Sequence, residues 1–262
     1  MSKLRDCSCL TMTDKNSAGP CGKNYCTPCN LYKHGSLSMQ NNTGMKMAMP
    51  YRQRNIERSE GLYYAGDICH EIYMVRRGFL KTFAITEEGE EQILSFNMAG
   101  DIVGIDGIES GVHSFYVTAL ETSEICILPI TSFSHATLLE IMNKEIHHAY
   151  NMMLRLGGMS AQKRIITFLF DLLQRLSNYK LADNNELELK MTREEIGRYL
   201  AMKVETVSRG FTQLSHLGLI DVRGRYIRLT KKALLGSTEG SHRFKAVSGP
   251  DKAHKTRPML PT

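Results

Sequence analysis

No stretch of about 18 consecutive apolar residues exists in this chain, so none of it reads as a membrane-crossing helix. The opening residues, MSKLRDCSCLTMTDKNSAGP, lack the apolar core of a secretory leader. The expectation is a protein of the reducing cytoplasm. There is no GxxxxGK[ST] loop, no GxSxG elbow and no HExxH pair. The nine histidines fall at no catalytic spacing, and His147 and His148 read as a solvated helix face. An enzyme is therefore not expected. Internal repeats are also absent. The seven cysteines are an odd number, which excludes complete disulfide pairing within one chain. In a reducing compartment, clustered thiols point to metal or redox chemistry instead.

What is present suits a globular protein: 262 residues, 42% hydrophobic and 23% charged, enough for one large domain or two modest ones. The net charge of +6 permits an acidic partner such as nucleic acid without demanding one. Residues 1–60 are polar and irregular and carry Cys7, Cys9, Cys21, Cys26 and Cys29. From about Gly61 to Pro129 the pattern changes to short apolar runs such as EIYMVRRG and SFYVTALETSEICILP, parted by glycine turns. This is the signature of a compact antiparallel β-domain, with a hairpin at Glu87-Glu88-Gly89-Glu90. Cys69 is expected as a packing residue on one of its strands.

A helix follows over about Ser134 to Gly157. Leu139, Met142, Ile146, Ala149, Met153 and Leu156 repeat at three-four spacing, the a/d seam of a two-helix coil. Such a seam is narrower than the stripe of a helix packed on its own domain, so a homodimer is expected through it. A second helix runs from Ala161 to about Leu176. Then TREEIGRYL, a turn at Ala201-Met202-Lys203 and VETVSRGFTQLSHL read as two short helices, and LIDVRGRYIRLT reads as a β-hairpin. The stretch from about Gly236 holds five Lys/Arg and two acids without apolar period, and is expected to be a disordered basic tail.

Helix, tight turn, helix and hairpin is the layout of a winged helix-turn-helix. In the second helix Val204, Val207, Phe211 and Leu214 are expected to face inward against Ile196 and Leu200. That leaves Glu205, Ser208, Arg209 and Thr212 outside. Arg209 can bond guanine O6 and N7 in a bidentate way, Glu205 can accept from cytosine N4 or adenine N6, and Ser208 suits a thymine or a phosphate. The competing reading pairs Glu205 with Arg209 as a surface i,i+4 salt bridge. Lys203, Thr212, Arg223, Arg225 and Arg228 are expected at the DNA backbone. Thr192 with Glu195 fits a capping box.

These elements together resemble the cyclic-AMP receptor protein/FNR superfamily of bacterial transcription factors, over about residues 20 to 235. GDIVGIDGIESG and ALETSEICILP are similar to the FNR (anaerobic regulator) branch. The resemblance implies an α+β fold. Its parts are a cysteine-rich segment (1–50), a β-roll like the cyclic-nucleotide-binding jelly roll (51–133), a dimerisation helix (134–158), a winged helix-turn-helix (159–235) and the tail (236–262). It also implies a transcription regulator that is active as a homodimer at low oxygen. Glu205, Ser208 and Arg209 would read a TTGAT-N4-ATCAA-like palindrome in double-stranded DNA, and RNA polymerase would be a partner. One oxygen-labile [4Fe–4S] cluster per subunit would be held by three N-terminal cysteines and one in the central domain.

Cys126 stands in the same ALETS-x-x-C context as that fourth ligand. For the others the resemblance selects Cys21, Cys26 and Cys29, whose C-x4-C-x2-C spacing departs from the best-known C-x2-C-x5-C of the branch. Spacing alone cannot part iron–sulfur from zinc or from a thiol–disulfide switch. On local sequence alone Cys126 reads as a small buried core residue sooner than as a ligand, and it is the resemblance that reverses this. A cyclic-nucleotide sensor needs a Glu in a G-E-L motif and an Arg-Ser pair for the cyclic phosphate. This chain has Gly104-Ile105-Asp106 and His113-Ser114 there, so no cyclic nucleotide is expected. A haem-based gas sensor of the same superfamily would need no cysteine cluster. An electron-transfer protein would leave the helix-turn-helix unexplained.

Overall fold

In a computed structural model the described residues are 52–178 and 185–239. Cys7, Cys9, Cys21, Cys26, Cys29 and the tail beyond Glu239 lie outside them. Eight strands build the first unit: β1 (Arg52–Ile56), β2 (Gly61–Tyr63), β3 (Glu71–Arg77), β4 (Phe79–Ile85), β5 (Glu91–Met98), β6 (Ile102–Val103), β7 (Tyr116–Ala119) and β8 (Ser123–Pro129). They form two antiparallel sheets, ordered β1-β8-β3-β6 and β2-β7-β4-β5. The β4–β5 hairpin turns at Gly89, whose φ of 80° suits a residue without Cβ.

The alternation of side chains along each strand sorts the apolar residues into layers. Ile56, Val75, Val103 and Ile125 of one sheet meet Leu62, Leu80, Val117 and Ala119 of the other, and this is the interior of the roll. The outer face of the first sheet carries Ile72, Met74, Cys126 and Leu128 beneath Phe133 and Ile141. Cys69 is buried but precedes β3 rather than lying on a strand. Its thiol donates to the Gly104 carbonyl at 3.5 Å.

Helix α1 (His135–Gly158) starts on Ser134, whose hydroxyl accepts the Thr137 N–H at 3.1 Å. Helix α2 (Ala161–Asn178) follows after Gly158. Next come β9 (Glu186–Glu188), α3 (Arg193–Leu200), α4 (Val204–His216), β10 (Ile220–Arg223), β11 (Tyr226–Leu229) and α5 (Lys231–Glu239). Helix α5 continues past Gly236, into the stretch expected to be tail. The sheet β10-β11-β9 backs the helices.

The largest core joins both halves of the molecule. Phe79, Phe83, Ile93, Phe96 and Met98, on the outer face of the second sheet, pack with Ile165, Phe168, Leu172, Tyr199 and Phe211 of the helical half. Phe96, Phe168 and Tyr199 form a triangle of tilted rings 5.0–6.0 Å apart, a spacing at which aromatic pairs attract.

Candidate nucleic-acid interface

The head that would meet DNA is built from short-range signals. Thr192 accepts the Glu195 N–H at 3.1 Å, and the Glu195 carboxylate accepts the Thr192 N–H at 2.8 Å, so the expected capping box starts α3. The turn between α3 and α4 is tight. Ala201 takes a left-handed conformation (φ 51°), and a Cβ on Gly197 would stand 2.6 Å from the Met202 carbonyl oxygen. Only glycine at 197 lets the chain turn so closely. Val207, Phe211 and Leu214 are buried as the spacing predicts. Val204 is not, at 38% exposure, because it occupies the first turn of α4, outside the core.

Glu205, Ser208, Arg209 and Thr212 are all exposed on the outer face of α4, and Lys203 is exposed at its N-cap. Among the described residues Glu205 and Arg209 form no ion pair, so the salt-bridge alternative is not what the chain adopts. Thr212 spends its hydroxyl on the Ser208 carbonyl at 3.1 Å. In the wing, Gly224 turns the hairpin at φ 63°, and Arg223 and Arg225 are exposed on either side of it. Arg228, expected at the backbone too, is instead held by Glu186 across the sheet at 2.7 Å. The outward surface of α4 and the wing thus presents Lys203, Arg209, Arg223 and Arg225, with two exposed acids, Glu205 of α4 and Asp221 of β10, on the same elements.

Helix α1 has two unlike faces. Thr137 and Ile141 are buried against the roll. The expected seam points away: Leu139 is 65% exposed, Ile146 48% and Met153 67%, with Met142 and Ala149 also exposed and Leu156 partly so. Tyr150 and Leu154 widen this apolar face. Below the inner face, Cys126 is 1% exposed, in register with Gln53 of β1 and Met74 of β3. Cys126 and Cys69 form no disulfide. Among the described residues no three His, Cys, Asp or Glu side chains converge as metal ligands, so of the four expected thiolates this structure places only Cys126. It is a soft donor, and residue 52, where the cysteine-bearing segment joins the described chain, is in register with its neighbour Ile127.

Several polar groups at the junction were not foreseen. Arg175 of α2 bonds the Asp101 carboxylate and, at 3.0 Å, the Phe96 carbonyl, tying the helical half to the roll. A cavity of about 330 Å³ opens between β5, α1 and α2, lined by Asn97, Asp101, Glu145, His148 and Arg175. His148 therefore does not belong to a solvated face. Burial, with Arg175 nearby, pushes its imidazole below the ordinary value. Lys81 reaches Glu195 at 3.1 Å, and Gln92 donates to the Arg198 carbonyl at 2.6 Å, joining the roll to α3. Arg193 lies 3.3 Å over the Phe211 ring, where desolvation lowers its guanidinium to about 10. None of these long-range pairs leaves a local sequence signal.

Comparison with known proteins agrees with this architecture. Residues 163–237 match the Crp-like helix-turn-helix domain and residues 53–137 the cyclic nucleotide-binding domain. The anaerobic regulatory protein of Pasteurella multocida is 35% identical over 199 residues, 72% of either chain. The fumarate and nitrate reduction regulatory protein of Escherichia coli K12 is 34% identical over 201 residues, 73% of this chain and 80% of that one. Among solved structures, FixK2 from Bradyrhizobium japonicum superposes with a TM-score of 0.63 at 27% identity, over 73% of this chain and 97% of its own. A CRP-family regulator from Thermus thermophilus, at 20% identity and a TM-score of 0.59, shares the fold. Among the described residues no helix is long and apolar enough to cross a membrane. With a β-roll, an exposed-seam helix and a winged helix-turn-helix in one chain, and regulators of this type as its relatives, the protein belongs to the CRP/FNR superfamily as a DNA-binding transcription regulator of the FNR type, not an enzyme.

Proposed function

We propose that this regulator works in the cytoplasm as an oxygen-responsive homodimer. It binds a TTGAT-N4-ATCAA-like palindrome through α4 and acts on RNA polymerase at low oxygen. The observation that carries the reading is the two-faced α1. Its inner face (Ile141) shares a core with Cys126, while its outer face presents the bare seam Leu139, Met142, Ile146, Ala149, Met153 and Leu156. Whatever moves the strand around Cys126 therefore moves the helix that makes the dimer.

Cys21, Cys26, Cys29 and Cys126 would hold a [4Fe–4S] cluster, which supplies an oxygen-labile crosslink between the N-terminal segment and β8. The chain's own part is mechanical. Cys126 pulls on β8, Ile141 and Phe133 transmit the shift to the start of α1, and the two seams close. Closure sets two recognition helices roughly 34 Å apart, one turn of DNA. Arg209, Glu205 and Ser208 then meet base edges, while Lys203, Arg223 and Arg225 hold phosphates. A coupling of a few kcal/mol shifts such an equilibrium substantially.

The test is to purify the protein without oxygen, record its visible spectrum with iron and sulfide content, and measure binding to the palindrome before and after air. A band near 400 nm that bleaches in air as binding is lost, and that is missing from Cys126→Ser, is the expected result. A colourless protein carrying zinc and binding equally in air would leave the DNA-binding reading in place and remove the oxygen switch.

A further inference from the structure

In the roll, far from the recognition helix, several donors close on one carboxylate. Asp106 sits in the short 3-10 turn Ile105–Gly107. Its Oδ2 accepts the Ser114 N–H at 2.8 Å and the Phe115 N–H at 3.1 Å. Its Oδ1 accepts the Tyr63 hydroxyl at 3.3 Å and lies 3.4 Å from His113 Nδ1. The His113 side chain is 1% exposed and that of Asp106 10%. Tyr63 stacks on the imidazole with ring centres 3.7 Å apart, and His113 Nε2 is buried with no partner among the described residues. Gly104, at φ 93°, is in a conformation that strains any other residue, and a Cβ would come within 3.0 Å of the Tyr73 ring and 3.3 Å of His113. Burial opposes a charge on Asp106, but the hydrogen bonds from His113, Ser114 and Phe115 outweigh it and hold the carboxyl below the usual carboxylate range.

Two successive backbone N–H groups aimed at one oxygen form an anion-binding nest. Ser114 belongs to the pair, His113-Ser114, that stands where a cyclic-nucleotide sensor carries Arg-Ser for its phosphate. In this chain the Ser114 N–H is already taken by a side chain.

We propose that Asp106 is an internal ligand: its carboxylate fills an oxyanion cradle made by the Ser114 and Phe115 N–H groups and the Tyr63 hydroxyl. The roll thereby carries a tethered anion where cyclic nucleotide-binding domains take a soluble one. Two consequences follow. The roll needs no effector to complete this site, and removing the carboxylate leaves an empty cradle that fits a small oxyanion. The inference stands apart from the cysteine switch and holds whether or not the chain carries a cluster.

A simple turn-stabilising aspartate and an internal ligand both predict that Asp106→Ser lowers the melting temperature, by about 4–8 °C for the charge-assisted bonds lost. They part on rescue. Thermal unfolding of the full chain is measured with inorganic phosphate against chloride at equal ionic strength. The expected result is no phosphate effect on the wild type and saturable recovery of at least half the loss in Asp106→Ser. Cyclic AMP as a second probe distinguishes a nucleotide-shaped site from a bare phosphate one. Equal stabilisation of both proteins by phosphate, or none in the variant, overturns the proposal. If Asp106→Ser does not fold, the wild type answers by amide NMR. The Ser114 and Phe115 resonances are expected to shift together as the carboxyl protonates in acid and to ignore phosphate at neutral pH. Amides that follow phosphate at neutral pH overturn it equally.

Discussion

Replacing Ile146 by alanine separates the two faces of α1. A fully buried isoleucine side chain contributes about 1.5–3 kcal/mol. Ile146 is 48% exposed in the single chain, so roughly half of that remains to be gained at a seam. That is about 1 kcal/mol per copy and, by two-fold symmetry, about 2 kcal/mol per dimer, or roughly 30-fold in the dimer dissociation constant. Ile141, five residues earlier and therefore on the other side of the helix, is 5% exposed and shares its core with Cys126, Met74 and Leu128. Its truncation should cost about 2–5 kcal/mol of the subunit's own stability. Sedimentation equilibrium on protein kept without oxygen measures the first effect, and thermal unfolding at low protein concentration the second. The reasoning fails if Ile146→Ala leaves the dimer constant within twofold, or if it destabilises the single subunit as much as Ile141→Ala does.

Arg209→Ala should lose about 1–3 kcal/mol of discrimination at one G·C pair, whereas Arg225→Ala should weaken all sequences alike and flatten the salt slope by about one ion; binding titrations on matched and mutated palindromes separate the two. Ala201→Gly relieves a left-handed alanine and should add about 0.5–1 kcal/mol, while Gly197→Ala forces the Met202 carbonyl aside and should cost about 1–3 kcal/mol, both read from denaturant midpoints. Arg164 bonds the carbonyls of Leu156, Met159 (3.0 Å) and Leu200 (3.1 Å), clasping the ends of α1 and α3. Arg164→Met should therefore lower DNA affinity while leaving the dimer constant unchanged, and a fall in dimerisation instead would refute the clasp.

The roll and the helix-turn-helix were legible because their residues obey local periods. Strands such as β8 alternate Ile125 inward with Cys126 outward, and α4 repeats Val207, Phe211 and Leu214 at helical spacing. The pattern misplaced Val204, since spacing says which side a residue faces but not whether the core reaches the first turn. It misread His148, whose neighbours Arg175 and Asp101 come from other elements, and Arg228, whose acceptor Glu186 sits on a separate strand. Asp106 drew no role from the sequence beyond its place in Gly104-Ile105-Asp106, because the groups that use it, Ser114, Phe115 and Tyr63, are recognisable only once the turn has closed. The N-terminal ligands expected at Cys21, Cys26 and Cys29 lie outside the described residues.

The triangle of Phe96, Phe168 and Tyr199 bears on how portable the parts of this regulator are. A reader domain that folded by itself could be cut off after α1 and grafted onto another sensor. Here the graft would carry away Phe168 and Tyr199 and leave Phe79, Phe83, Ile93 and Phe96 of the roll facing water, with Lys81 and Gln92 stripped of Glu195 and Arg198. Chimeras joined at Gly157-Gly158, the C-terminal end of α1, should aggregate unless the β4–β5 hairpin travels with the head. In a lineage that swaps effectors, the outer face of that hairpin is the surface that has to change in step with the DNA-binding half.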